Sequence, residues 1–426
     1  MKNTFLVSFL LIIIVACSKE NETAATLTYW ASNNIEEIAF AKKVVARWNA
    51  EHPDQTILLQ PVPEGQSSEE IILAAVVGKT TPDIYANMWQ GDTELYAQSN
   101  ALIPLDTLDG FLEFLQNRCD SLTIAEVTAQ DGHIYQIPWK VNPIMMMYNT
   151  KIFREAGFDK PPRTYSEFLT AAEKLKKDVN GDGYTDRWIG NTDVAVVWWQ
   201  RLFNFYPLYL AASGGDKLVT KDKAVFNNES GIATFNFLQT LYKNNYFPKE
   251  QMRAQSDPFL QELTAVKFTG PWDVSYTDKF KPEGFEYALA PMPVPDAHVG
   301  PAYTYCDPKN IVIFNTCKQP ELAWQFLKLL ISEEGDLDFL QLSNQIPRRK
   351  DLLINPSFIQ FFTQNPKLKP FAEQSRYLRG VDSSPVMKEV FDLISQEYEA
   401  TVIYAVKSPK QGIQDAAEAV ELLFLK

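Results

Sequence analysis

At 426 residues, 46% of them apolar, the chain is long enough for two or three packed domains and excludes a low-complexity or unfolded polypeptide. Its formal charge of −13 excludes a nucleic-acid binder, which needs a basic face against phosphate. Aromatic residues make up 13%, with nine Trp, eighteen Tyr and twenty-seven Phe; some of these must be core, and the rest leave flat faces for a pocket.

Residues 1–17 read as a targeting segment. Lys2 supplies the positive start, and residues 5–16 are apolar apart from Ser8. That run of twelve is too short to span a bilayer, which takes roughly twenty residues. It closes on Ile14-Val15-Ala16-Cys17 and meets the polar stretch Ser18-Lys19-Glu20-Asn21-Glu22. This is similar to a bacterial lipobox, so residues 1–17 are expected to be a lipoprotein signal peptide with Cys17 as the lipidation site. Acyl chains at about 0.8 kcal/mol per buried CH₂ then hold the protein to a membrane outside the cytoplasm. Cys119, Cys306 and Cys317 remain, an odd number that cannot all pair within one chain. Cys306 and Cys317 flank an apolar run at 311–314 and are close enough in sequence to bridge; buried thiols are the plainer reading.

The mature chain opens with a strand around Tyr29-Trp30. Asn33-Asn34-Ile35-Glu36 then starts a helix, with Ile35, Ile38, Val45 and Trp48 at helical spacing. A strand at 56–60, a helix at 68–77 and a strand at 82–85 follow, and this alternation predicts a parallel sheet covered by helices. A second α/β region begins with the capping box Thr164-Tyr165-Ser166-Glu167. Helices are expected at 229–244 and at 320–331, the latter with Pro320 in its first turn, and through most of the last sixty residues. No Gly/Ser linker separates the regions, so the chain is expected to cross between them several times.

Asp178-Val179-Asn180-Gly181-Asp182-Gly183-Tyr184-Thr185-Asp186 matches positions of an EF-hand-type calcium loop, with Asp178, Asn180, Asp182 and Asp186 as candidate ligands. The twelfth position is Ile189 instead of the bidentate Glu, so a structural calcium competes here with a simple polar turn. No cofactor is required by anything else in the chain.

Several segments resemble, in order, the extracellular solute-binding proteins of carbohydrate ABC importers, the family that includes the maltose-binding protein. They are Tyr29-Trp30, Pro82-Asp83-Ile84-Tyr85, Asn100-Ala101-Leu102-Ile103-Pro104-Leu105-Asp106 and Asp131-Gly132-His133-Ile134-Tyr135-Gln136-Ile137-Pro138. Tyr148-Asn149-Thr150-Lys151-Ile152-Phe153, Ser213-Gly214-Gly215, Thr269-Gly270-Pro271-Trp272 and Ala323-Trp324-Gln325-Phe326-Leu327 continue the series. The resemblance implies an α/β, periplasmic-binding-protein-like type II fold: two lobes joined by a multi-segment hinge, with the ligand cleft between them. By that analogy the first lobe holds 18–140 plus 267–329 and the second 141–266 plus 330–426. It further implies a monomer that passes a carbohydrate to ABC permease subunits served by a separate ATPase, that meets the membrane only through its lipid anchor, and that binds no nucleic acid.

A sugar presents hydroxyls that need paired hydrogen bonds and a C–H face that suits an aromatic ring, and each unpaired buried hydroxyl costs about 1–3 kcal/mol. In open α/β sheets ligands gather at the C-terminal ends of strands. The candidate ligand residues are therefore the aromatic–polar pairs just past strands: Trp30 with Asn34; Trp89 with Gln90 and Asp92; and Trp272 with Asp273. Trp139, Trp198 and Trp199 are added from the crossing and the turn after Thr192-Asp193, and Tyr305 and Arg348 from the later segments. Trp48 and Trp324, on apolar helix faces, are assigned to the core.

Gly78-Lys79-Thr80 is not a phosphate loop, because Leu73 stands where its first glycine belongs. No Ser or Cys nucleophile motif accompanies the three histidines, and no catalytic residue is assigned. Two other functions fit the same composition: a carbohydrate-active enzyme, which requires a carboxylate pair, and a sensor that presents its ligand to a membrane receptor.

Overall fold

A computed structural model describes residues 26–63, 67–252, 254 and 256–425. Residues 1–17, expected to be a signal peptide ending at Cys17, lie outside the described residues.

The first lobe is built on a six-stranded sheet in the order Ile346–Pro347, Ile137–Val141, Lys309–Ile313, Ile84–Trp89, Leu27–Ala31, Ile57–Pro61. Leu27–Ala31 pairs in parallel with both Ile57–Pro61 and Ile84–Trp89, as the strand–helix alternation predicts. Lys309–Ile313 then enters antiparallel between Ile84–Trp89 and Ile137–Val141. Helix Ile35–Glu51 covers one face, and Asn34 caps it by accepting from the Glu37 N–H. Tyr29, Phe40, Trp48, Trp139, Trp324 and Phe326 form the core beneath it.

The second lobe carries a smaller antiparallel sheet, with Met145–Asn149 between Val266–Thr269 and Tyr287–Ala290. Helices Tyr165–Leu175, Phe205–Ser213, Glu229–Lys243, Met387–Glu397 and Pro409–Leu423 pack around a core containing Phe168, Phe205, Tyr206, Leu238, Phe391 and Tyr398. Thr164 and Glu167 form the capping box that starts Tyr165–Leu175.

The lobe boundaries differ from the expected ones at two places. Strands Val266–Thr269 and Tyr287–Ala290 belong to the second sheet, so the chain returns to the first sheet only near Lys309, not at 267. Helix Glu333–Ser343, expected in the second lobe, packs on Ile35–Glu51 through Phe40 and Phe339, whose rings are 5.2 Å apart. In both cases pairing partners distant in sequence decide the placement.

Three segments meet between the sheets. The Asn142 N–H donates to the Cys306 carbonyl at 2.6 Å and the Ile144 N–H to the Tyr305 carbonyl at 2.9 Å. Thr304–Tyr305 pairs in parallel with Leu378–Arg379. Cys119, Cys306 and Cys317 are free and buried, so the 306–317 bridge is not formed.

Candidate functional site

The first-lobe wall grows from the end of strand Ile84–Trp89. Trp89 stands at the turn into helix Gln90–Gln98, and its indole folds back over that turn because Gly91 has no side chain; a Cβ there would collide with the ring. Trp89 is 2% exposed, and its Nε1 donates to the Tyr305 hydroxyl at 3.1 Å. Tyr305 in turn donates to Asp307 at 3.2 Å. On the adjacent strand Lys309 lies opposite Trp89 and pairs with Glu69 at 3.2 Å and Asp307 at 3.9 Å. Burial alone would raise the Glu69 carboxyl, but Lys309 and hydrogen bonds from the Glu69 N–H and Ser67 outweigh it and bring it down to about 2. The wall thus presents fixed charges beside aromatic rings.

The second-lobe wall is aromatic. Trp198 opens the turn Trp198–Leu202, and its ring centroid lies 4.8 Å from that of Trp89. Phe203 stands edge-on to Trp272 at 6.2 Å and to Tyr305 at 6.4 Å. Trp272 begins helix Trp272–Phe280 straight after strand Val266–Thr269, and Gly270 leaves room for its ring. Behind it Lys267 pairs with Asp273 at 2.6 Å and Asp257 at 2.7 Å. Trp272 is 38% exposed and is the open face of this wall among these rings, and Trp199, next to Trp198 in the chain, is 45% exposed.

The two walls are tied directly. Lys388, in the first turn of Met387–Glu397, reaches Asp92 at 2.8 Å. The Ser383 hydroxyl donates to Glu94 at 2.5 Å, and Gln90 Nε2 donates to the Val381 carbonyl at 3.0 Å. Deeper still, Arg201 is 1% exposed; its Nη2 donates to the carbonyls of Ala195 and Asp193 at 3.2 and 3.4 Å, and its guanidinium lies 3.9 Å over the Tyr398 ring. Arg201 therefore fixes the loop leading into Trp198.

Of the expected residues, Trp89, Asp92, Trp198, Trp272 and Tyr305 come together between the lobes, with Trp199 open beside Trp198. Gln90 lies there too, but its amide is spent on backbone. Asp273 is occupied by Lys267. Others require correction. Trp139 is a core residue, 1% exposed and 4.7 Å from the Phe339 ring, because the strand Ile137–Val141 is covered on both faces. Asn34 spends its side chain on capping. Trp30 donates to Gln60 at 2.8 Å and packs toward Tyr85 and Ile72, outside the aromatic chain. Arg348 is held by Thr123 at 2.8 Å and Glu126 at 3.4 Å, bracing helix Ser121–Val127. Glu69, Phe203, Asp307, Lys309 and Lys388 join them here without being marked by the sequence, apart from the local run Asp307-Pro308-Lys309 beside Tyr305.

In the 178–186 loop, the Asp178 carboxylate accepts from the Gly181 and Gly183 N–H groups at 2.6 and 2.8 Å, and Asp186 accepts from Val179 at 2.8 Å. Ile189, at the twelfth position, is fully buried. Among the described residues no cluster of three or more His, Cys, Asp or Glu is arranged to hold a metal ion. Asp178 and Asp186 thus accept from the loop's own amides.

A sequence profile of the bacterial extracellular solute-binding proteins matches residues 31–336. A maltotriose-binding protein of Pyrococcus abyssi is 23% identical over 85% of this chain and 74% of its own. A solved structure of an uncharacterised Listeria monocytogenes protein superposes with a TM-score of 0.82 at 29% identity, covering 93% of this chain and 99% of its own. The sugar-binding protein MalE of Xanthomonas citri superposes at 0.78 with 18% identity over 94% and 98%.

Proposed function

We propose that the chain, which belongs to the bacterial extracellular solute-binding protein family, captures a neutral carbohydrate between its lobes and delivers it to an ABC importer. The observation that carries this reading is the aromatic chain Trp89–Trp198 and Phe203–Trp272, joined through Tyr305 and flanked by Glu69, Asp307 and Lys309. Flat rings beside fixed polar groups suit a ligand with apolar C–H faces and hydroxyl edges. Relatives named for maltotriose and for sugar binding support the ligand class.

The mechanism is closure. Ligand contacts drawn from both walls favour the closed arrangement, since a ligand shifts an equilibrium only by its differential affinity for the two states. Binding, not turnover, is the expected activity. The closed monomer then docks on permease subunits energised by a separate ATPase, tethered outside the cytoplasm through lipidated Cys17.

The test uses residues 18–426, which leave out Cys17 and its lipid, titrated with neutral sugars, polyols and amino acids. Intrinsic Trp fluorescence and thermal melting are read together. A saturable fluorescence change with a raised Tm for one sugar class supports the reading, because a ligand that binds only the folded state stabilises it. A response confined to amino acids or peptides overturns the carbohydrate assignment. Release of shorter sugars on prolonged incubation would instead show an enzyme.

A further inference from the structure

Lys388 comes from the second lobe, and the groups around its ammonium come from both. Nζ lies 2.8 and 2.9 Å from the two carboxylate oxygens of Asp92, a residue of the first lobe whose side chain is 5% exposed. The same nitrogen is 5.9 Å from the Trp89 ring centroid and 5.6 Å from that of Trp198. Two indoles and a carboxylate around one ammonium make up the chemistry by which proteins bind organic cations. Here the occupant is supplied by the chain itself. Lys388 keeps 27% of its side chain exposed, so the box has a solvent-facing mouth through which another cation could enter. Without Lys388, Asp92 would be a nearly buried carboxylate beside two electron-rich rings, with Glu69 adding negative potential and Lys309 opposing it.

We propose that Lys388 is a specificity-determining residue: it occupies a Trp89–Trp198–Asp92 cation box across the cleft and thereby excludes amine-bearing ligands. The proposal rests on the carbohydrate reading and refines it. A cleft with this box empty would take an amino sugar by its ammonium; with the box filled, it meets neutral hydroxyl groups only. The same contact ties the first lobe to the second.

The test is K388A, which empties the box, beside K388A/D92N, which removes the attracting charge as well. Ethylammonium chloride is expected to raise the Tm of K388A beyond the effect of sodium chloride at equal ionic strength, and to leave the wild type and K388A/D92N indistinguishable from the salt control. Glucosamine is expected to bind K388A at least tenfold more tightly than the wild type. If ethylammonium and glucosamine affect K388A no more than they affect the wild type, the proposal is overturned. The ethylammonium response does not depend on any sugar, so it separates this proposal from the carbohydrate reading, whose own failure would be a wild type silent to every neutral sugar.

Discussion

Trp89 and Trp198 lie 109 positions apart in the chain, yet their rings meet at 4.8 Å with an interplanar angle of 48°. Trp89 is fixed from behind by Tyr305 and Trp198 by the loop that Arg201 holds. Tyr305 belongs to the segments between the sheets and packs against Tyr206 of the second lobe at 5.5 Å, so the contact reports how the lobes stand to one another.

Trp272 separates ligand contact from core packing. It is 38% exposed and touches Phe203 only at its edge. Trp272→Ala is expected to weaken carbohydrate binding at least tenfold, about 1.4 kcal/mol, with little change in Tm. Isothermal titration with the sugar identified by the ligand panel checks it; an unchanged Kd in the folded variant removes Trp272 from the site.

Arg201 is expected to act on binding through Trp198 without touching ligand. Arg201→Met deletes the hydrogen bonds to the Ala195 and Asp193 carbonyls and frees the loop. Affinity should fall roughly tenfold, again about 1.4 kcal/mol, and Arg201→Lys should recover part of it. Near-ultraviolet circular dichroism, which senses the Trp89–Trp198 pair, should change in step with Kd; a Tm loss with no spectral change and no affinity change would contradict the assignment.

Glu37 and Lys140 form a buried ion pair beneath the first sheet, and the Glu37 carboxylate also accepts from Ser32 at 2.6 Å and Gln345 at 2.5 Å. Burial would raise the Glu37 carboxyl, but Lys140 and these hydrogen bonds together hold it below its ordinary value. Lys140→Met strands a charge in the core and should cost about 3–5 kcal/mol, while Glu37→Gln with Lys140→Met should cost clearly less. Urea unfolding at neutral pH decides between these.

Asp382 gives the protein a pH-dependent component of opposite sign to an ordinary carboxylate. Burial pushes it up to about 6, even though the Leu218 and Val219 N–H groups donate to it at 2.8 and 3.0 Å and Lys217 lies near. The folded value exceeds the unfolded one, so its contribution is full below about pH 4 and lost as pH rises through 6, a swing of up to roughly 3 kcal/mol. The stability of Asp382→Asn relative to the wild type should therefore improve from pH 4 to pH 7. Paired urea midpoints across that range would show a flat difference if the carboxyl is not raised.

The 178–186 loop is expected to be held by its own amides. Asp178→Ala removes the acceptor for Gly181 and Gly183 and should lower the Tm equally in calcium and in chelator. A wild-type Tm that rises with calcium and loses that rise in the variant would instead establish a metal site.

Local chemistry was written plainly in the chain. The helix start at 33–36, the Thr164–Glu167 capping box and Pro320 at a helix start are satisfied within a turn or two, and the structure holds them, with the cap at the first falling on Asn34 and its partner on Glu37. The apolar faces that carry Trp48 and Trp324 likewise predicted burial, because helical spacing alone decides which side faces the core. The strand–helix alternation determined the parallel part of the first sheet for the same reason. Which aromatic residues share a cleft was decided only in three dimensions. Trp89 ends its strand, whereas Trp139 lies in the middle of a strand buried along its whole length, so it packs against Phe339 instead. Lys388 and Asp92 meet across the lobes although they are 296 positions apart, and no local pattern marks either as the other's partner. A sequence determines the interactions that close within a few residues; the cleft is assembled from strand ends and helix starts brought together by two sheets, and its membership depends on which faces those sheets leave uncovered.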